Sequence, residues 1–183
     1  MNSKLVSEML TWIECPMDLF TIQSEDSLLY RIDDIERLIR ASREYKGWVY
    51  WKRTKHTQIV CKELDINIMD FEGVHIEQDH FPITLYDIVL VVGLKMLSTL
   101  PEDETLTVFD IASVVVQEHL AEENYIGTVS LTTTSHQLRH NGIHSLKLED
   151  INGNYRGFLD KYRNYIPTAV QERIDFNLAT LDK

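Results

Sequence analysis

Residues 71–97 read FEGVHIEQDHFPITLYDIVLVVGLKML, and the period of the pattern changes midway. Val74-His75-Ile76-Glu77 alternates apolar with polar, as a strand with one buried face does. Asp79-His80-Phe81-Pro82 then predicts a turn. After it, Thr84 is placed to cap a helix, and Leu85, Ile88, Val89 and Val92 recur at helical spacing. The Val/Ile/Leu stripe of residues 85–97 is core. A polar-faced strand running into an apolar helix indicates an α+β chain.

Working outward, the spacing of Leu28, Leu29, Ile32, Ile35, Leu38 and Ile39 predicts a helix over 26–44, ended by Gly47. Residues 48–63 interleave aromatic and basic side chains. Residues 107–122 read as another helix, apolar on one side at Phe109, Ile111, Val114 and Val115, with His119 assigned to its polar side. Thr128 to Leu131 suits a short strand. Thr132 to Ser135 offer N-caps for a short helix over 136–141, which Gly142 is placed to end. Residues 146–151 suit a further strand, with Asn152-Gly153 as a turn. Helices are expected over 3–13 and over 167–181. This divides the chain into an N-terminal helical segment (1–30), an α+β domain (31–165) and a C-terminal helix (166–183).

The 183 residues are enough for one domain with a full core and no staples. Two cysteines, Cys15 and Cys61, make no disulfide framework, so a reducing compartment is expected. No stretch is long and apolar enough to cross a membrane, and Met1 to Leu10 lacks the layout of a signal peptide. The net charge is −11 and unevenly spread. Residues 31–62 hold nine Lys/Arg against four acids, and residues 63–126 hold fourteen acids against one base, Lys95. Such asymmetry between segments says more about partners than the total does.

Two clusters carry candidate chemistry. Asp79-His80 lies at the end of a predicted strand. His136 and His140 lie one helical turn apart, so both imidazoles can reach one ion. A carboxylate from the first cluster completes a nitrogen/oxygen site suited to Mg²⁺, Mn²⁺, Zn²⁺ or Ni²⁺. On extended backbone His80 points away from Asp79 and is available as a general base on water. A cation and an imidazole base suffice to hydrolyse a phosphodiester. Arg139 is placed to steady the scissile phosphate. Lys52, Arg53, Lys55 and His56, beside Trp48, Tyr50 and Trp51, are candidate DNA contacts, although Trp48 reads better as core.

These residues resemble the HNH endonucleases, the ββα-metal or His-Me finger superfamily. Asp79-His80 matches the His-His or Asp-His end of that family's first strand. Ser135-His136-Gln137-Leu138-Arg139-His140-Asn141-Gly142 matches its helix signature, with Ser in place of Cys. Tyr45-Lys46-Gly47-Trp48, Arg53 and Cys61 resemble its upstream segment. The likeness spans about residues 40–145. It implies a divergent ββα-metal finger with a helical insert at 84–122 in a mostly helical domain. It also implies Asp79, His136 and His140 as ligands to Mg, Mn or Zn, His80 as base, and a phage-encoded protein of the host cytoplasm. Three departures bear on activity more than on fold. The paired Cys-x-x-Cys knuckle is missing, 56 residues separate His80 from His136, and the family's middle Asn has only Asn124 as a counterpart.

Three functions follow. The first is a metal-dependent HNH endonuclease acting on DNA. The second is an inactive accessory protein on the same scaffold, gripping DNA or a host or phage protein such as the transcription machinery, with the acidic 63–126 region as a protein-facing surface. The third is a structural subunit in which the histidines are incidental.

Overall fold

The computed structural model describes residues 20–63, 65, 76–121, 125–132 and 146–181. A capping box opens the first long helix, α1 (Glu25–Ala41): Ser24 Oγ accepts from the Ser27 amide, and Ser27 Oγ accepts from the Ser24 amide. Such a box satisfies two amides that a helix start otherwise leaves without partners. Glu25 and Asp26 add negative charge at the positive end of the helix dipole. Leu28, Ile32, Ile35 and Ile39 form one fully buried stripe.

The helix ends at Ser42, not at the expected Gly47. Ser42 Oγ donates to the Ile39 carbonyl at 2.9 Å and accepts from the Tyr45 amide at 3.2 Å. One hydroxyl therefore closes α1 and opens α2 (Arg43–Glu63), the aromatic-basic segment, in which Gly47 is an interior residue.

Strand β1 (Thr21–Ile22), just before α1, pairs antiparallel with β3 (Leu106–Thr107). Helix α3 (Leu85–Thr99) starts at Thr84, as read, and α4 (Val108–Leu120) at a Thr107–Asp110 capping box. Together α1, α3 and α4 build the main apolar core. The two helices expected as an insert in a finger are thus central to the molecule. Residues Leu85 to Gly93 are buried on nearly every side of α3, apart from the exposed Tyr86.

The second small sheet pairs β2 (Ile76–His80) with β4 (Thr128–Thr132), Asp79 opposite Val129 and His80 opposite Thr128. The turn expected at Asp79-His80 is therefore strand, and the chain departs only at the cis Phe81–Pro82 step. Phe81 prolongs the pairing, its amide donating to the Gly127 carbonyl at 3.0 Å. Behind this sheet lies a smaller core of Phe81, Val129, Leu131 and Leu146.

The C-terminal part is more helical than expected. Residues 148–150 form a 3₁₀ turn in place of a strand, between single bridge residues at Lys147 and Asn152, the latter bridging to Thr128. Asn154 caps α5 (Tyr155–Tyr162), an unpredicted helix, and α6 (Thr168–Ala179) falls within the expected 167–181. Helix α6 is tied to the corner between β2 and α3. Arg173 pairs with the buried carboxylate of Asp87, and Asn177 Nδ2 donates to the Pro82 carbonyl at 2.7 Å. The class read from sequence, mostly helical α+β, is the class observed. The helices expected over 3–13 and 136–141, and the alternation at Val74-His75, lie outside the described residues.

Two glycines give opposite expectations for one substitution. A Cβ at Gly127 would stand 2.4 Å from the Phe81 carbonyl oxygen and 2.8 Å from Tyr155 Cβ. Gly127→Ala is expected to lower unfolding stability by about 1–3 kcal/mol. At Gly47, inside α2, nothing lies within 4 Å of the added carbon. Gly47→Ala is expected to raise stability by about 0.5–1 kcal/mol. Urea denaturation of the two variants beside the parent checks both signs.

Candidate functional site

Among the described residues a dense group of chemically capable side chains lies where α2, α4 and β2 meet. His80 ends β2 and His119 stands in the last turn of α4. Both are buried, and their Nε2 atoms are 2.9 Å apart. His119 Nδ1 is 2.7 Å from the Val115 carbonyl oxygen. A carbonyl only accepts, so His119 carries its proton on Nδ1. Its Nε2 is then a bare acceptor, and His80 donates to it from Nε2–H. The Val115 carbonyl thereby sets both tautomers.

Aromatic rings wall the pair in. Tyr45 and Trp48, on the inner face of α2, meet the His119 ring edge-on at centroid distances of 5.2 and 4.9 Å. Tyr45 also stacks on His80 at 6.4 Å. Burial drives both imidazoles toward the neutral form. It holds His80 well below the usual histidine range, assisted by His119 and Arg40. It takes His119 down to about 4, outweighing the support from the Val115 carbonyl and Glu118, with Lys52 adding to the depression. Burial likewise raises the Tyr45 phenol.

Next to this pair, Glu118 Oε1 accepts from Lys161 Nζ at 2.6 Å and from Tyr162 Oη at 2.7 Å. Burial and this carboxylate raise the Tyr162 phenol far above its ordinary range. The bonds fasten α5 to α4. These groups make a polar seam inside the core, and every contact described for them is structural.

The residues expected to act together are distributed otherwise. Asp79 is half-buried on β2, on the opposite face from His80, as alternation requires. Lys52 is half-buried, its ammonium 5.7 Å from the Trp48 ring centroid and 5.6 Å from that of Trp51. Arg53 and Lys55 are exposed, and His56 is half-buried. Trp48 is core, as read. His136, Arg139 and His140 lie outside the described residues. Among the described residues no group of three or more His, Cys, Asp or Glu is arranged to hold a metal ion. The sequence reading missed His119, assigning it to a polar helix side. Its position one turn after Val115, on the stripe of Val108, Ile111, Ala112 and Val115, was the available signal.

Comparison with known proteins changes the functional reading. Residues 6–183 match the model of a family described as bacteriophage G278-like virion protein. No curated protein matches the chain, and no solved structure does. A virion family spanning almost the whole chain overturns the reading as an HNH endonuclease, with its nuclease and hydrolase chemistry and its water activated by His80. The geometry agrees with that correction, because the His80 N–H is committed to His119 in a buried position beside Tyr45 and Trp48. The alternative of an accessory protein acting on DNA or the transcription machinery falls with it, as does the host cytoplasm as the place of action. The phage origin inferred from the resemblance stands on this family.

The buried pair generates a pH dependence. A histidine depressed in the fold takes up its proton first in the unfolded chain, near pH 6.5. Between there and about pH 4 the unfolded state binds more protons, so stability falls as pH drops through this window. His119 alone is expected to remove roughly 2 kcal/mol between pH 7 and pH 4.5. Denaturant titrations at several pH values should show that slope, and His119→Gln should flatten it whatever its effect at pH 7. An unchanged slope in the variant would show that the pair is not held neutral by the fold.

Proposed function

The chain belongs to the bacteriophage G278-like virion protein family, and from that membership we propose that it is a structural component of the phage particle. The observation that carries this reading is the extent of the match, residues 6–183, which takes in the core, both small sheets and the C-terminal helices. Family likeness therefore covers the architecture and not an isolated motif.

The fold supports the same reading. Several of its inner polar groups hold elements together: His80 to His119 across β2 and α4, Glu118 to α5, and Asp87 to α6. The exposed acids Glu102, Asp103 and Glu104 and the exposed bases of α2 are left at the surface for neighbours. Partners are then other components of the particle, met through exposed acids such as these and through the basic face of α2. No described helix is long and apolar enough to cross a membrane.

Particles purified through a density gradient and analysed by quantitative mass spectrometry test the proposal. The chain is expected at a fixed number of copies per particle, resistant to washing in moderate salt. Abundance in the infected-cell lysate with none in intact particles would overturn it.

A further inference from the structure

The two small-sheet helices α1 and α4 give the molecule two unlike ends. Both start from the β1–β3 pair, at Ser24 and Thr107, so their N-termini share one pole. Exposed acids gather there: Glu25 and Asp26 in the first turn of α1, Asp110 in the first turn of α4, and Glu102, Asp103 and Glu104 in the loop leading to β3. Seventeen residues of α1, about 25 Å at helical rise, separate this pole from Ser42.

The opposite pole is closed by α2. Its inner stripe, Tyr45 and Trp48, packs on His119 in the last turn of α4, so the C-terminal ends of both α1 and α4 lie under it. Its outer face carries Arg43, Lys46, Tyr50, Trp51, Arg53 and Lys55, all exposed. Tyr50 is 74% and Trp51 52% exposed, a large aromatic area for a charged surface to leave in water. Lys55 Nζ lies 5.2 Å from the Trp51 ring centroid. Arg31, Arg37 and Arg40 on α1 are paired with Asp34 and Glu36. Among the described residues Arg43, Lys46, Arg53 and Lys55 are in no ion pair.

We propose that copies of this chain associate head to tail, the basic-aromatic outer face of α2 on one copy seating on the acidic β1–β3 pole of the next. Charge complementarity selects the occupant: the chain carries −11 overall, and its own acidic pole is the surface that matches the face of α2. The two surfaces are different and lie at opposite ends, so the contact is heterologous and leaves each copy able to bind two neighbours. Contacts of that kind build rings or filaments. Trp51 anchors the contact, with the surrounding bases setting orientation and rate. The inference rests on the structural reading above by naming the neighbour as a second copy.

The test uses the full chain in sedimentation velocity at about 50 and 500 mM NaCl, where screening differs several-fold. Wild type is expected to associate with concentration at low salt and to dissociate at high salt. Lys46→Glu/Arg53→Glu at one pole, or Glu102→Lys/Asp103→Lys at the other, should each abolish association, with circular dichroism unchanged because all four positions are exposed. Mixing the two reversed proteins should restore it. Trp51→Ala should weaken it at least about tenfold. Monomeric wild type at low salt, or association that survives both reversals, overturns the inference. So does a monomeric wild type whose α2 face binds short duplex DNA and loses it in Lys46→Glu/Arg53→Glu, since that assigns the face to a polyanion. A chain found in particles yet monomeric in solution fails here while leaving the structural role intact.

Discussion

The aliphatic stripe of α1 constrains everything around it. Leu28, Ile32, Ile35 and Ile39 are wholly removed from water, and one helix face cannot do that alone. Helices α3 and α4 cover it, which is why α3 is apolar on nearly all sides while α1 keeps a charged outer face. Burying such side chains is worth roughly 1.5–3 kcal/mol each, so this stripe outweighs any single polar contact in the molecule. The sheets are secondary to it. β1–β3 sets where α1 and α4 begin, and β2–β4 lies beside the core with its own small apolar cluster.

Much of that architecture was legible in the residues. The apolar periodicity located α1, α3 and α4 to within a few positions, the expected tail helix contains α6, and the alternation near Ile76 located β2. What escaped has identifiable causes. Ser42 breaks α1 through its side chain, a local bond that competes with the helix ladder and leaves periodicity intact on either side. α5 is two turns long and begins at an Asn-Gly-Asn stretch that reads as turn alone. The candidate site fared worse. Histidine is assigned to water by composition, and only the three-dimensional pairing of residues 80 and 119 reveals why two imidazoles are kept from it.

The HNH resemblance shows how a short pattern misleads. Asp-His at the end of a strand is a ligand-and-base pair only where the imidazole meets water and a metal. Here the second residue of that pair is turned inward and donates to another histidine. A match along nearly the entire chain weighs more than eight residues in family order, because it samples the packing as well as the motif.

The clamp between Asp87 and Arg173 makes α6 part of the α3 environment. The carboxylate is almost wholly buried, and its cation is supplied from 86 positions further along. Thr84 Oγ also donates to Asp87 Oδ2 at 2.8 Å, so the start of α3 already holds the carboxylate and Arg173 adds its charge partner. Removing the Arg173 guanidinium would leave a buried carboxylate without its cation, the costly way to break such a pair.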